Sequence, residues 1–561
     1  FEDISGKVQL QPHGGRLDVD SEDFRMLLSG IYDNAWDLKQ AHGSFFWSVE
    51  PDYARLQVNG LNGYLSGTED DPGIWPVAVE LGLTLPRIGS NKESAINLMV
   101  GMPKAEASLR HQLVPALLND GIRSWIDDSV TDGHFTDAAF VMRRPLHDEH
   151  IANTDSAQLY LNFSDARVKY LADWPAAEEL SGRLLLRAPE LDVHIDQGRT
   201  LGGTLVNRSG RVTITPGRDG HSLLDVRAHL QGDAGEAIQY FTATPLQSLV
   251  NNQLDSWQAD GPVDAALQLK MPLGEEAALP DIRLQADIKD TQLTLPDLNL
   301  AFSDINGRLN YTSADGLNAD ALNGKTFGGA FNGRIASLKR GEGFDIQLHA
   351  DGDAGIAEVR EWLPTVLLDP VSGRMNYSAD LAIGGDNLTF LLNTPLKDTV
   401  IDLPYPYGKA ADEERQLAVE VQPGRETRIN LVYDDRVRAA LALDDEGLNR
   451  GQVYLGDTEP FLPSDKGLEI RGSISETLQA DVWWETWQHM MALLDAEEKQ
   501  QAAQRRQTLN GATASTGTAK HAAAQSGPVR MINIALDDVN LWGTPSGPAT
   551  VIANQRWNEW T

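Results

Sequence analysis

The chain has 561 residues, 47 Lys and Arg against 81 Asp and Glu for a formal charge of −34, and no cysteine. That balance excludes a nucleic-acid face, which needs clustered cations to release counterions, and adhesion along an anionic membrane surface. A hydrophobic content of 41% allows a large buried surface, and the missing thiols exclude disulfides, Cys-ligated metals and a thiol nucleophile.

Absence of cysteine fits a secreted or periplasmic bacterial setting. No run of 18 apolar residues exists, so we expect no membrane span within these residues. The chain opens at Phe1 without Met or a leader, which reads as a piece of a longer protein whose anchor lies outside it.

Along the chain the dominant signal is alternation with period two, the mark of strands with one apolar and one wet face. Helical spacing first interrupts it at 111–130, through Leu113, Leu117, Ile122, Trp125 and Ile126. Alternation returns at Leu224, Val226, Ala228 and Leu230. A second helical stretch at 235–257 holds Ile238, Phe241, Leu249 and Leu254. Strands follow at Val263 to Met271 (with Leu267 and Leu269), at Ile282, Leu284, Ala286 and Ile288, and at Leu298, Leu300 and Phe302. Phe344, Ile346, Leu348 and Ala350 form another, before a short helix within 354–364 ending at Pro364. Met375 to Ile383 (with Leu381), Leu417 to Val421, Ile429 to Tyr433 (with Leu431) and Val437 to Leu443 (with Leu441) continue the pattern. A last helix begins near Trp483 and runs into the polar stretch Glu497 to Gln507. Asn510 to Gly527 reads as a flexible linker, and strands resume at Met531. The expected organisation is a repetitive β rod over 1–480, a helix plus linker over 481–528, and resumed β structure over 529–561.

A short unit of apolar, polar, Gly, polar, apolar residues recurs around Gly6, Gly63, Gly182, Gly307, Gly373 and Gly472, the fourth copy ending at Leu309. Glycine inside a strand marks a bend or a close backbone approach. At roughly 14–16 residues per strand and turn the chain holds on the order of 35 strands, beyond the ~10 at which open sheets curl or split. A single sheet growing along its hydrogen-bonding axis is the expected solution, since linker signals are scarce before residue 508.

The apolar face of such a sheet is either a filled core or the lining of an open groove, and alternation alone favours the core. A groove would shelter acyl chains at about 0.8 kcal/mol per CH₂. His147-Asp148-Glu149-His150 lacks helical His-Glu-x-x-His spacing and reads as a solvated loop, so no metal or cofactor is expected. No P-loop, Rossmann fingerprint or nucleophile elbow is placed between a strand and a helix, so no catalytic residues are assigned.

Compound motifs then recur in order: Ser124-Trp125-Ile126-Asp127 with Asp132-Gly133, Asp173-Trp174-Pro175, Thr244-Pro245-Leu246 and Met271-Pro272-Leu273. Trp362-Leu363-Pro364, Asn393-Thr394-Pro395-Leu396 and Asp402-Leu403-Pro404-Tyr405-Pro406-Tyr407-Gly408-Lys409 come next. Arg450-Gly451-Gln452-Val453 and Leu468-Glu469-Ile470-Arg471-Gly472 leading to Asp481-Val482-Trp483 close the series. Together they resemble the AsmA-like superfamily, specifically its YhdP branch. Asp398 departs from the small residue expected there, and both ends, including an N-terminal membrane helix, are expected to be missing.

The resemblance implies a bridge-like lipid transfer protein of the Gram-negative periplasm, anchored in the inner membrane outside these residues. It implies a mainly β fold: an elongated, twisted and curled antiparallel sheet forming an open U-shaped groove with a few short helices. Phospholipid acyl chains would be the partners, moving from inner to outer membrane without catalysis. The expected lining is Leu267, Leu269, Ile282, Leu284, Ile288, Leu298, Leu300, Phe302, Leu309, Phe344, Ile346, Leu348, Leu381, Ile383, Leu431 and Leu441. Trp483, Trp484 and Trp487 form a candidate gating helix at the groove edge. The alternatives are a structural tether with a filled core and a carbohydrate-active β-solenoid, which would need paired carboxylates in a cleft.

Overall fold

A computed structural model describes the chain except residues 29–30, 68–71, 91–93, 117–119, 146–155, 171–173, 218–221, 245–255, 274–279, 297–298, 342, 364, 366–367, 385–386, 445–446, 490–491, 494–528, 557–558 and 561. It also leaves aside the side chains of 120–122, 241, 387, 555–556 and 559–560. The fold is mainly β, with a few short helices. It comprises two units, Phe1–Ile288 with Asn310–Ala314, and Lys289–Leu309 with Asp315–Thr561.

In the first unit the long strands pair antiparallel in sequence order, from Gly6–Gln11 and Gly14–Met26 through Ala95–Glu106 and Val130–Pro145 to Pro262–Leu273 and Asp281–Leu295, passing over the short strands Gly203–Leu205 and Gln258–Asp260. Short turns make this the cheapest connection. The expected strands at 224–230, 263–271 and 282–288 fall inside Ser222–Asp233, Pro262–Leu273 and Asp281–Leu295. Register slips near residues 39–42, 136–139 and 163–166, where Gln40, Asp137 and Asp165 adopt left-handed backbone. These bulges each bend their strand and sharpen its twist.

The second unit repeats the pattern from Gly316–Thr326 to Gly447–Leu455. Here the purely antiparallel expectation is corrected. Gly467–Ile474 pairs parallel with Gly447–Leu455 and with Val529–Leu541. Residues 456–466 run back along the sheet before the next strand, so direction is kept rather than reversed. Glu469 is sealed between these parallel strands and receives Arg530, Gln452 and Arg471. Burial pushes its carboxyl up, but these three donors outweigh that and hold it below the usual carboxylate range.

Helices cluster at one rim of each sheet. In the first unit Arg110–Leu113 and Asp120–Ser129 follow the end of Ala95–Glu106, and Ala234–Thr242 follows Ser222–Asp233. Antiparallel alternation sends both strand ends to the same rim. In the second unit Ile356–Trp362, the loop 395–416 and the helix 480–489 share a rim in the same way. The connections described at the opposite rims, such as 12–13, 188–189 and 423–426, are short. The stretch expected to be helical at 235–257 is helical to Thr242, and 245–255 lie outside the described residues.

The recurrent glycine unit has a steric cause. A Cβ at Gly182 would overlap the carbonyl oxygen of His194 on the adjacent strand, and one at Gly472 (φ 131°) would overlap that of Leu455. Gly6, Gly307 and Gly373 meet the backbone of Asp18, Ala321 and Asp398 in the same manner. Asp398 itself sits in left-handed backbone (φ 63°), which a short polar side chain tolerates.

Candidate functional site

Two kinds of apolar surface share one face of the first unit. From Val19 to Met142 the inward residues are sealed: Leu61, Leu65 and Leu98 have 0% exposure and Trp36 has 1%. Across strands, Leu81 faces Leu98 and Leu98 faces Met142, so successive side chains fill a continuous core. Beyond it the same face stays half-open. Phe140 faces Leu159, Leu159 faces Leu186, Leu186 faces Leu191, Leu191 faces Ile214, and Ile214 faces Leu224, which faces Met271. Every residue of that row is half-buried. A parallel row runs Leu161, Leu184, Val193, Val212, Val226, Leu269 and Ile282, and it too is half-buried throughout.

In the second unit one row passes from Ile335 through Leu348, Leu381, Phe390, Val421 and Ile429 to Leu441. A neighbouring row runs from Leu392 through Val419, Leu431, Ala439, Val453 and Ile470 to Ile532. Apart from buried Ala439, these side chains are half-buried.

The expected lining residues fall on these rows or beside them. Leu267 faces Leu284 and Leu269 faces Ile282, with Ile288 opposite Val263. Leu348 faces Leu381 and Ile346 faces Ile383, with Phe344 on the same face. Leu431 and Leu441 lie on adjacent strands. Phe302 meets Phe331 edge-on at 5.8 Å, and Leu300 and Leu309 share its strand. All fifteen that are described are half-buried; Leu298 lies outside the described residues. Sequence reasoning missed the section Leu184 to Ile214. The triplet Leu184-Leu185-Leu186 hides the alternation there, although Val193 and Ile195, and Val212 and Ile214, still show it.

The other face is polar and cross-linked. Arg211 donates to both carboxylate oxygens of Asp192 at 3.1 and 3.0 Å, and Arg227 pairs likewise with Asp225. His349 Nδ1 lies 2.6 Å from Asp380 and Nε2 3.1 Å from Asp351. The Asp380 hydrogen bond, outweighing partial burial and joined by Asp351, holds this imidazole above its ordinary 6.5. Because the folded value is raised, the stabilisation is full below about pH 6.5 and is lost as pH rises through the folded value. Thermal midpoints of the parent and of His349→Gln should therefore differ most in mild acid and converge on the alkaline side. A constant gap across that range would contradict the assignment.

Trp483 donates through Nε1 to the Tyr405 carbonyl at 3.0 Å and meets Tyr407 edge-on at 5.6 Å. Trp484 and Trp487 are 57% and 37% exposed. The loop that Trp483 touches is held from within. Buried Lys409 donates to Thr399 and Ala410 carbonyls, and Arg415 to those of Pro406 and Tyr407. The Asp402–Lys409 motif is thus a folding unit of this loop. His147 to His150 lie outside the described residues. Among the described residues no group of three or more His, Asp or Glu is placed to hold a metal. No described helix is long and apolar enough to cross a membrane.

Fold and strip together define a mainly β protein with an extended, half-open apolar contact face. The chain belongs to the YhdP family, whose model, described as YhdP protein, matches residues 1–560. It is 22% identical over 394 residues to the "Intermembrane phospholipid transporter YhdP" of Escherichia coli strain K12. That match covers 68% of this chain and 30% of the relative, so the chain spans less than a third of that protein's length. No solved structure matches the chain.

Proposed function

We propose that this chain is a non-enzymatic, phospholipid-carrying segment whose half-open leucine rows form a hydrophobic groove for acyl chains. The carrying observation is the unsealed state of those rows, from Leu159 to Ile282 in the first unit and from Ile335 to Ile532 in the second. Apolar side chains left half-exposed in continuous register keep part of their hydrophobic free energy unspent, and acyl chains can recover it. A two-chain phospholipid has about 30 such carbons, so a continuous apolar path offsets most of the ~20 kcal/mol needed to leave a bilayer. The relative's activity between membranes points the same way. On this reading the segment works in the periplasm, carries lipid from inner to outer membrane, and meets both membranes through parts of a longer protein. The helix 480–489, with Trp483, Trp484 and Trp487, gates the groove edge.

The sealed cluster from Val19 to Met142 favours the filled-core reading for that section alone. Lipid extracted from the purified chain and identified by mass spectrometry tests the proposal. Diacyl glycerophospholipids should co-purify in more than one copy per chain. A lipid-free chain would favour the filled-core tether throughout.

A further inference from the structure

Tryptophan is distributed unevenly between the two rims of each sheet. Two of the 13 tryptophans, Trp557 and Trp560, fall outside the described side chains. In the first unit Trp36, Trp75, Trp125, Trp174 and Trp257 all stand on the helix-bearing rim, and Trp47 alone is at the other. In the second unit Trp362, Trp483, Trp484, Trp487 and Trp542 all stand on the helix-bearing rim. Trp36 and Trp75 belong to the sealed core. The other eight rim tryptophans are half-buried or exposed, with Trp125 at 47% and Trp542 at 74%.

Helix packing accounts for part of this bias, since Trp174 meets Tyr240 of the helix Ala234–Thr242 at 5.8 Å, but Trp542, in the turn between Val529–Leu541 and Thr544–Arg556, is largely exposed. Indole has a flat apolar body and a single N–H donor, which suits it to a boundary between hydrocarbon and water. Three rim indoles place that N–H on backbone carbonyls: Trp36 on Gln112 at 3.1 Å, Trp125 on Tyr170 at 3.3 Å and Trp483 on Tyr405 at 3.0 Å. Part of the apolar body meets another ring, Trp483 on Tyr407, Trp362 on Phe327 and Trp174 on Tyr240, and the part still exposed is left to the surface.

We infer that the helix-bearing rim of each unit is the line along which phospholipid glycerol and head groups stand, while the tails lie on the leucine rows. This inference rests on the lipid-carrying reading and adds an orientation to it: each lipid lies along the strand direction, head group to the tryptophan rim. The rim indoles then touch the first carbons of the acyl chains and not their methyl ends.

Brominated lipids test this, because bromine quenches indole fluorescence only near contact. The chain would be equilibrated with vesicles of phosphatidylcholine brominated at acyl carbons 6 and 7, or at carbons 11 and 12, with bound lipid counted by mass spectrometry. At equal occupancy, the 6,7 lipid should quench at least about twofold more than the 11,12 lipid. Replacing Trp125, Trp362, Trp484 and Trp487 by Phe, singly and together, should remove most of that difference. Equal quenching, or stronger quenching by the 11,12 lipid, would overturn the orientation while leaving the carrier reading intact. A chain that takes up no lipid would overturn both.

Discussion

Aspartate in place of Leu284 is expected to stop lipid passage without unfolding the chain. Leu284 is half-buried and faces Leu267 across the ladder, on the last strand of the strip of the first unit. A carboxylate there keeps water contact in the empty groove, so the fold tolerates it. An acyl chain sliding past must strip that water from an unpaired charge, which costs several kcal/mol. If about 3 kcal/mol of that survives partial hydration, flux falls about 100-fold, at 1.4 kcal/mol per factor of ten. Lipid transfer in cells carrying the variant in the full-length protein, beside the thermal midpoint of the purified chain, checks both halves. Unchanged flux would remove the conduit reading, and a collapsed midpoint would show that the strip is core.

The sealed section should respond in the opposite manner. Leu98 is 0% exposed and sits between Leu81 and Met142. Shortening it to alanine leaves a cavity in a packed interior and should cost about 2–5 kcal/mol. Leu284→Ala removes the same carbons from a site that water or lipid can refill, and should cost about 1 kcal/mol or less. Because opening is local in a chain of neighbour-paired strands, hydrogen exchange of Ala95–Glu106 and of Asp281–Leu295 is the suitable readout. Similar losses at both positions would mean that one kind of interior runs through the unit.

Most of the strand content was legible because alternation reports directly which side of a strand is apolar. It could not report what covers that side, and so Leu98 and Leu284 look alike in sequence while the structure separates them. The lining positions could be chosen by parity alone, which is why Leu267, Ile282, Leu348 and Leu381 share faces in register. Strand direction was not legible at 467–474, since nothing local in Gly467–Ile474 says whether the preceding link turns or runs back. The glycine units were readable as close approaches, for the reason seen at Gly182. The tryptophan bias lay in the sequence too, but it emerges only when strand ends are counted, because each hairpin reverses the rim at which the chain stands.

Pairing between sequence neighbours also sets the order in which the molecule can assemble. The long antiparallel strands need only the long strand before them, so loop-closure entropy is met in small instalments and the sheet can lengthen as the polypeptide emerges. Gly467–Ile474 breaks that rule, because its second partner, Val529–Leu541, begins more than fifty residues after it ends. Until that partner arrives, Glu469 lacks the guanidinium of Arg530. Completion of this corner is thus the late event of biosynthesis, and a ribosome stalled before residue 529 would leave a growing edge whose acid has only one of its two guanidinium partners, Arg471.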